Sequence, residues 1–117
     1  MEEKSKTYRT IFFYKNYFED FYTNQRIKVR NKIIWTLKMI ETRPIVPELY
    51  LKHIEGTNGL YEIRIQHSID IFRIFCFFDK GQLVVLANAF HKKTKKTPEG
   101  EIEKALKIKK EYEHERK

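Results

Sequence analysis

The run from Ile69 to Phe78 constrains this chain more than any other segment. It reads Ile69, Asp70, Ile71, Phe72, Arg73, Ile74, Phe75, Cys76, Phe77, Phe78. Side chains alternate between faces along a strand. One set is Ile69, Ile71, Arg73, Phe75 and Phe77, and the other is Phe72, Ile74, Cys76 and Phe78, so both faces are apolar. A strand of this kind is stable only inside a sheet covered on both sides. The segment is therefore predicted to be a central strand.

Its neighbours supply the partners. Asp79-Lys80-Gly81 is a tight-turn signal, and residues 82–90 form the next strand. Before it, residues 60–66 alternate, with Tyr61, Ile63 and Ile65 on one side and Glu62, Arg64 and Gln66 on the other. The three strands make an antiparallel meander. Residues 45–59, with Pro47, Gly56 and Asn58-Gly59, read as a connection.

Toward the N-terminus, residues 7–13 read as a first strand. Tyr14, Tyr17, Phe18, Phe21 and Tyr22 recur at helical spacing. Asn24 is expected to cap a second helix with the stripe Ile27, Ile33, Ile34, Leu37 and Ile40, flanked by Trp35 and Met39. Pro44 stops it. At the other end, Thr97 is expected to cap a last helix with Pro98 at its first position. That helix has a narrow apolar stripe, Ile102, Ala105 and Leu106, with Ile108 and Tyr112 beside it, and reads as peripheral. The order is strand, two helices, three strands, helix. This is an α+β fold: an antiparallel sheet with two N-terminal helices packed on it and a C-terminal helix. Residues 1–117 are expected to form a single domain, since 117 residues suit one core.

Charge narrows the partners. Lys and Arg number 24 against 16 Asp and Glu, a net charge of +8. Such an excess favours nucleic acid, an acidic protein or a membrane surface. No apolar run approaches a membrane span, and Met1-Glu2-Glu3-Lys4 has no leader-like apolar segment, so a cytoplasmic protein is expected. Cys76 is the single cysteine and reads as a small core hydrophobe. No metal-ligand spacing occurs, and neither metal nor cofactor is expected.

Arg73 is the most informative residue for chemistry. Among Ile71, Phe75 and Phe77 its guanidinium must find an anion or reach solvent. Two readings stand: an ion pair with Asp70, Glu62 or Asp79, or an anion site on a sheet face, for which the arginine fork suits phosphate. Arg64 lies one strand earlier on a polar face. His91, Lys92 and Lys93 fall where the third meander strand ends, and Lys95 and Lys96 extend that basic loop. Lys52 and His53 lie in the connection. These cationic segments flank one small sheet and together suggest a phosphate-binding cleft. No hydrolase triad and no glycine-rich phosphate loop is present, and the chain has only four glycines. Arg, Lys and His suit RNA cleavage by the RNA's own 2′-hydroxyl, in which the protein assists proton transfer and neutralises the phosphorane.

At these residues the chain resembles a known family. The stretch Leu51-Lys52-His53-Ile54-Glu55-Gly56, then Leu60-Tyr61-Glu62-Ile63-Arg64-Ile65, is similar to the middle of RelE-superfamily toxins. Ile71-Phe72-Arg73-Ile74-Phe75, Asp79-Lys80-Gly81 and Val84-Val85-Leu86-Ala87-Asn88-Ala89-Phe90 continue the pattern. Phe90-His91-Lys92-Lys93-Thr94-Lys95-Lys96-Thr97-Pro98, followed by Glu101-Ile102-Glu103-Lys104-Ala105, resembles the phage-derived, HigB-like subgroup most specifically. The resemblance covers roughly residues 8–112 and implies the RelE/ParE fold and ribosome-dependent mRNA cleavage. It implies no cofactor, and a helix-turn-helix, HigA-like antitoxin as partner. By resemblance, Arg64, Arg73, Lys92 and His91 are candidate catalytic residues. Lys52, His53, Phe90, Lys93, Lys95 and Lys96 are candidate RNA contacts. No tyrosine follows the third meander strand, where some RelE toxins stack a base, so Phe90 or His91 would substitute.

Two other functions compete. A ParE-like toxin would share the fold and bind DNA gyrase without cutting RNA; the arginine and lysine set favours the nuclease. A non-enzymatic nucleic-acid module lacks its expected signals, a helix-turn-helix pattern or strand-borne surface aromatics.

Overall fold

The computed structural model describes residues 6–116, and the reading of Met1 to Lys4 lies outside the described residues. The elements run β1 (Thr10–Phe13), α1 (Tyr17–Thr23), α2 (Ile27–Thr42), β2 (Leu51–His53), β3 (Leu60–His67), β4 (Asp70–Asp79), β5 (Leu83–Lys92) and α3 (Glu99–Glu115). One sheet has the order β1-β5-β4-β3-β2. The doubly apolar strand is at its centre, as its pattern requires, and β2 to β5 are antiparallel. The fold is α+β with two N-terminal helices and a C-terminal helix, consistent with a RelE-like architecture.

Two features modify the expected sheet. β1 joins it in parallel, pairing Thr10 with Leu83 and Phe13 with Leu86, so the sheet is mixed. The connection over residues 45–59 contains a short edge strand, β2, which pairs Leu51 with Ile63 and His53 with Tyr61. Three residues with little alternation were too short to read as a strand.

Helices cover both faces. α1 and α2 bury Phe18, Val29, Ile33, Leu37 and Ile40 against Ile63, Ile65, Phe72, Ile74, Cys76, Val84 and Leu86. On the other face α3 buries Ala105, Ile108 and Tyr112 against Leu60, Phe75, Phe77, Val85 and Ala87. Hence α3 is part of the core rather than peripheral. Its buried set follows i, i+3, i+7, and Leu106 is on the outside.

Local departures have local causes. Lys15 adopts a positive φ of 52°, which breaks the chain between β1 and α1 and turns Tyr14 toward α3. Asn24 closes α1 instead of capping α2, which begins after Arg26 without a side-chain cap. Pro98 takes the N-cap position of α3, one residue later than expected, leaving Thr97 outside the helix. On α2 the buried residues are Val29, Ile33, Thr36, Leu37, Met39 and Ile40, while Ile27, Ile34 and Trp35 are exposed. Around the 45–59 connection, Trp35 packs edge-on to Tyr50 outside the core.

The α3 C-terminus is tied by polar bonds. The Tyr112 hydroxyl donates to Asp79 Oδ2 (2.6 Å), and Tyr14 and Tyr17 donate to Glu115 and Glu111 (2.6 and 2.7 Å). Burial and this bond to Glu115 push the Tyr14 hydroxyl up to about 12.

Adjacent residues on α2 test the packing. Ile33 is 0% exposed and Ile34 47%. Ile33→Ala should cost roughly 2–5 kcal/mol in chemical denaturation, and Ile34→Ala about 0.5 kcal/mol. Equal costs would show that α2 is rotated about its axis.

Candidate functional site

The site forms on the α3 side of the sheet, at the end that α3 leaves uncovered. Antiparallel pairing sets Arg64 directly opposite Arg73, and Glu62 opposite Phe75. Directly opposed side chains share a face about 5 Å apart. Arg73 is also opposite Phe90, and Ile71 opposite Lys92. Lys52 is opposite Glu62 on the edge strand. Five charged residues, Lys52, Glu62, Arg64, Arg73 and Lys92, therefore share one face.

A bulge makes this arrangement possible. Between the pairs Ile74–Ala89 and Cys76–Leu86, β4 has one residue and β5 has two, Ala87 and Asn88. The extra residue inverts the alternation of β5. Val85 and Ala87 face α3 before it, and Phe90 and Lys92 face the same way after it. Asn88 is buried at the bulge and donates from Nδ2 to the carbonyl and side chain of Glu101 (3.1 and 3.0 Å), which anchors the start of α3.

Glu62 organises the cations. Its Oε1 is 3.5 Å from Arg73 Nε, and its Oε2 is 3.6 Å from Arg64 Nε. Both Glu62 and Arg73 are buried; Arg73 is 5% exposed. Arg73 Nη1 donates to the Phe72 carbonyl at 3.1 Å. Arg73 Nε and Glu62 Oε1 make no hydrogen bond of good geometry despite their closeness. Burial and then Arg64 push the Arg73 guanidinium below its ordinary range, while Glu62 pulls it back up. The Lys92 ammonium is lowered by burial first and then by Arg73 and Arg64, against an opposing pull from Glu62. The Arg73 and Lys92 shifts share Glu62 and Arg64 among their causes, in a cluster with more cation than anion.

The remaining candidates divide. Lys93, Lys95 and Lys96 are exposed on the loop from β5 to α3, with Lys96 3.9 Å from Glu99. Phe90 is on the site face, packed edge-on to Phe75. His91 points to the opposite face, stacked on Phe72 with centroids 4.8 Å apart and 3.3 Å from Asp70. His53 also lies away from the arginines, edge-on to Tyr61 and 3.1 Å from the Thr57 carbonyl. The site therefore gathers Lys52, Arg64, Arg73 and Lys92 and separates them from the two candidate histidines, His53 and His91. Glu62 is its unforeseen organiser: the alternation that placed it beside Arg64 was visible, but its bridging position was not. Cys76 is fully buried, and burial raises its thiol, so it is unreactive.

The fold is consistent with RelE-like toxins, and the family comparison carries the class. The model of the phage-derived Gp49-like proteins matches residues 20–110, and the chain belongs to that family, one of toxins of toxin–antitoxin systems. Membership implies an antitoxin partner. No curated protein matches the chain. Among the described residues no helix is long and apolar enough to cross a membrane.

The electrostatic coupling predicts a sign. Arg73→Met should raise the Lys92 pKa by removing a repelling charge, and Glu62→Gln should lower it further. Carbon-13 NMR of the methylated lysines measures both. An unchanged Lys92 in both variants would separate it from the arginine pair.

Proposed function

We propose that this toxin is a ribosome-dependent endoribonuclease that cuts mRNA in the cytoplasm and so inhibits translation, with a HigA-like helix-turn-helix antitoxin restraining it. The observation that carries the reading is the convergence of Arg64, Arg73 and Lys92 on one sheet face around a single carboxylate. Like charges set directly opposite in a sheet are destabilising, so Arg64 facing Arg73 is a stability cost that a doubly charged phosphorane would relieve.

In the proposed reaction the 2′-hydroxyl gives its proton to solvent and attacks the adjacent phosphorus, and the bond to the 5′-oxygen breaks to leave a 2′,3′-cyclic phosphate. Arg73 and Arg64 donate to the phosphoryl oxygens as charge develops, which is worth about 3–4 kcal/mol per donor at comparable sites. Lys92, whose pKa is lowered by burial, donates a proton to the departing oxygen. Lys52, Lys93, Lys95 and Lys96 attract the RNA backbone. The reaction as proposed does not use His91, His53 or Phe90. It also lacks a self-sufficient acid–base pair, so the ribosome must present the RNA in a reactive geometry.

Primer extension on ribosome-bound mRNA tests the reading. Wild-type protein should cut there and leave free RNA largely intact. Arg64→Ala and Arg73→Ala should each lower cleavage by about 100-fold while circular dichroism reports an unchanged fold. Intact mRNA with inhibited DNA gyrase would favour the ParE-like alternative instead. Full cleavage by a folded Arg73→Ala variant would remove Arg73 from the reaction.

A further inference from the structure

We propose that Asn88 is a positioning residue that decides whether Lys92 or His91 faces the arginine pair, by holding β5 in its bulged register. The inference rests on the reading of Lys92 as the proton donor.

Two registers are open to the end of β5. In the observed one, Ala87 and Asn88 share the place opposite Phe75, and Phe90 and Lys92 fall opposite Arg73 and Ile71. In the other, the strand runs on from the pair Cys76–Leu86 without a bulge. Asn88 then falls opposite Ile74, Ala89 opposite Arg73, and His91 opposite Ile71. A slip of one residue sends every later side chain to the other face. His91 would enter the site and Lys92 would leave it.

Neither apolar burial nor charge selects the bulge. In the regular register Phe90, half-buried as it stands, comes opposite Phe72, next to the edge-on Phe21–Phe72 pair. Lys92 comes opposite Asp70, where it replaces the His91–Asp70 contact of 3.3 Å. A regular strand also keeps the ladder that a bulge interrupts.

Asn88 selects it. The regular register would aim its amide into the apolar core under α1 and α2, beside Ile74, at the place Ala89 now fills. Burying an amide among those side chains is costly. In the bulged register the same amide turns to α3, and Nδ2 donates to the carbonyl and Oε1 of Glu101 (3.1 and 3.0 Å). Its Oδ1 is buried and finds no partner among the described residues. An apolar side chain would avoid that penalty, so packing alone does not explain an asparagine here. Its amide fits one register and opposes the other, and bulges re-aim side chains beside active sites. Lys92, with its ammonium lowered by burial and by Arg73, is the side chain so aimed.

Two substitutions in the full chain test this: Asn88→Ala, which matches the size of the Ala89 it would displace, and Asn88→Val. Circular dichroism checks the fold. Cross-strand NOEs from Arg73 to Phe90 should give way to NOEs from Arg73 to Ala89. The methylated Lys92 should titrate closer to an ordinary lysine, since it leaves the arginines. Cleavage of ribosome-bound mRNA should fall roughly 100-fold, the share of a positioned proton donor. Adding His91→Lys to Asn88→Ala returns a lysine to the site and should recover much of the lost cleavage. Folded variants that keep the Arg73–Phe90 NOEs would overturn the proposal, and so would loss of fold in both, which makes Asn88 structural. Moved NOEs with a loss that His91→Lys does not recover would show that Asn88 does not act through Lys92, and would also overturn it. Moved NOEs with full cleavage would keep Asn88 as the register residue and remove Lys92 as the proton donor.

Discussion

A guanidinium at the centre of a sheet is the constraint on which the rest of this structure depends. Arg73 is in the middle of the most buried strand, and an uncompensated charge there would be costly. Glu62 offsets that cost from the neighbouring strand and at the same time reaches Arg64. One carboxylate thus holds two cations side by side, in a register that would otherwise set them against each other. The pairing is incomplete, because Arg73 Nε and Glu62 Oε1 lack a well-formed hydrogen bond.

The rest of the molecule positions this pair. α1 and α2 seal the opposite face. α3 covers only the half of the site face built on Leu60, Phe75 and Phe77, and Asn88 fixes where that helix begins. The bulge at Ala87 and Asn88 then brings Lys92 round to the arginines. Without the extra residue, strict alternation from Val85 and Ala87 would aim His91 at the site and Lys92 away from it.

Much of this was legible in the sequence for identifiable reasons. The doubly apolar strand fixed the centre of the sheet, and Asp79-Lys80-Gly81 fixed one hairpin, with Lys80 and Gly81 both at positive φ. Arg64 and Arg73 were readable because period-2 alternation is rigid along a regular strand. His91 was misleading because a bulge leaves no mark in the spacing of apolar residues. The parallel pairing of β1 is a long-range choice that local pattern does not encode. The edge strand β2 was hidden in a segment that read as a loop. On α2, a run of consecutive apolar residues, Ile33, Ile34 and Trp35, blurred the helical period, and only packing decides that Ile33 goes inside.

In the proposed phosphate site Glu62 would be the resident anion, and the most direct measurement follows from that. Calorimetric titration with inorganic tungstate, an oxyanion of phosphate-like geometry, compares the wild-type protein with Glu62→Gln. Removing the resident charge should tighten tungstate binding by at least about tenfold, since one unit charge at such range is worth several kcal/mol at an intermediate dielectric. Glu62→Gln protein that is folded yet binds tungstate no better than wild type would contradict the account and reduce the Arg64–Glu62–Arg73 cluster to a structural ion pair.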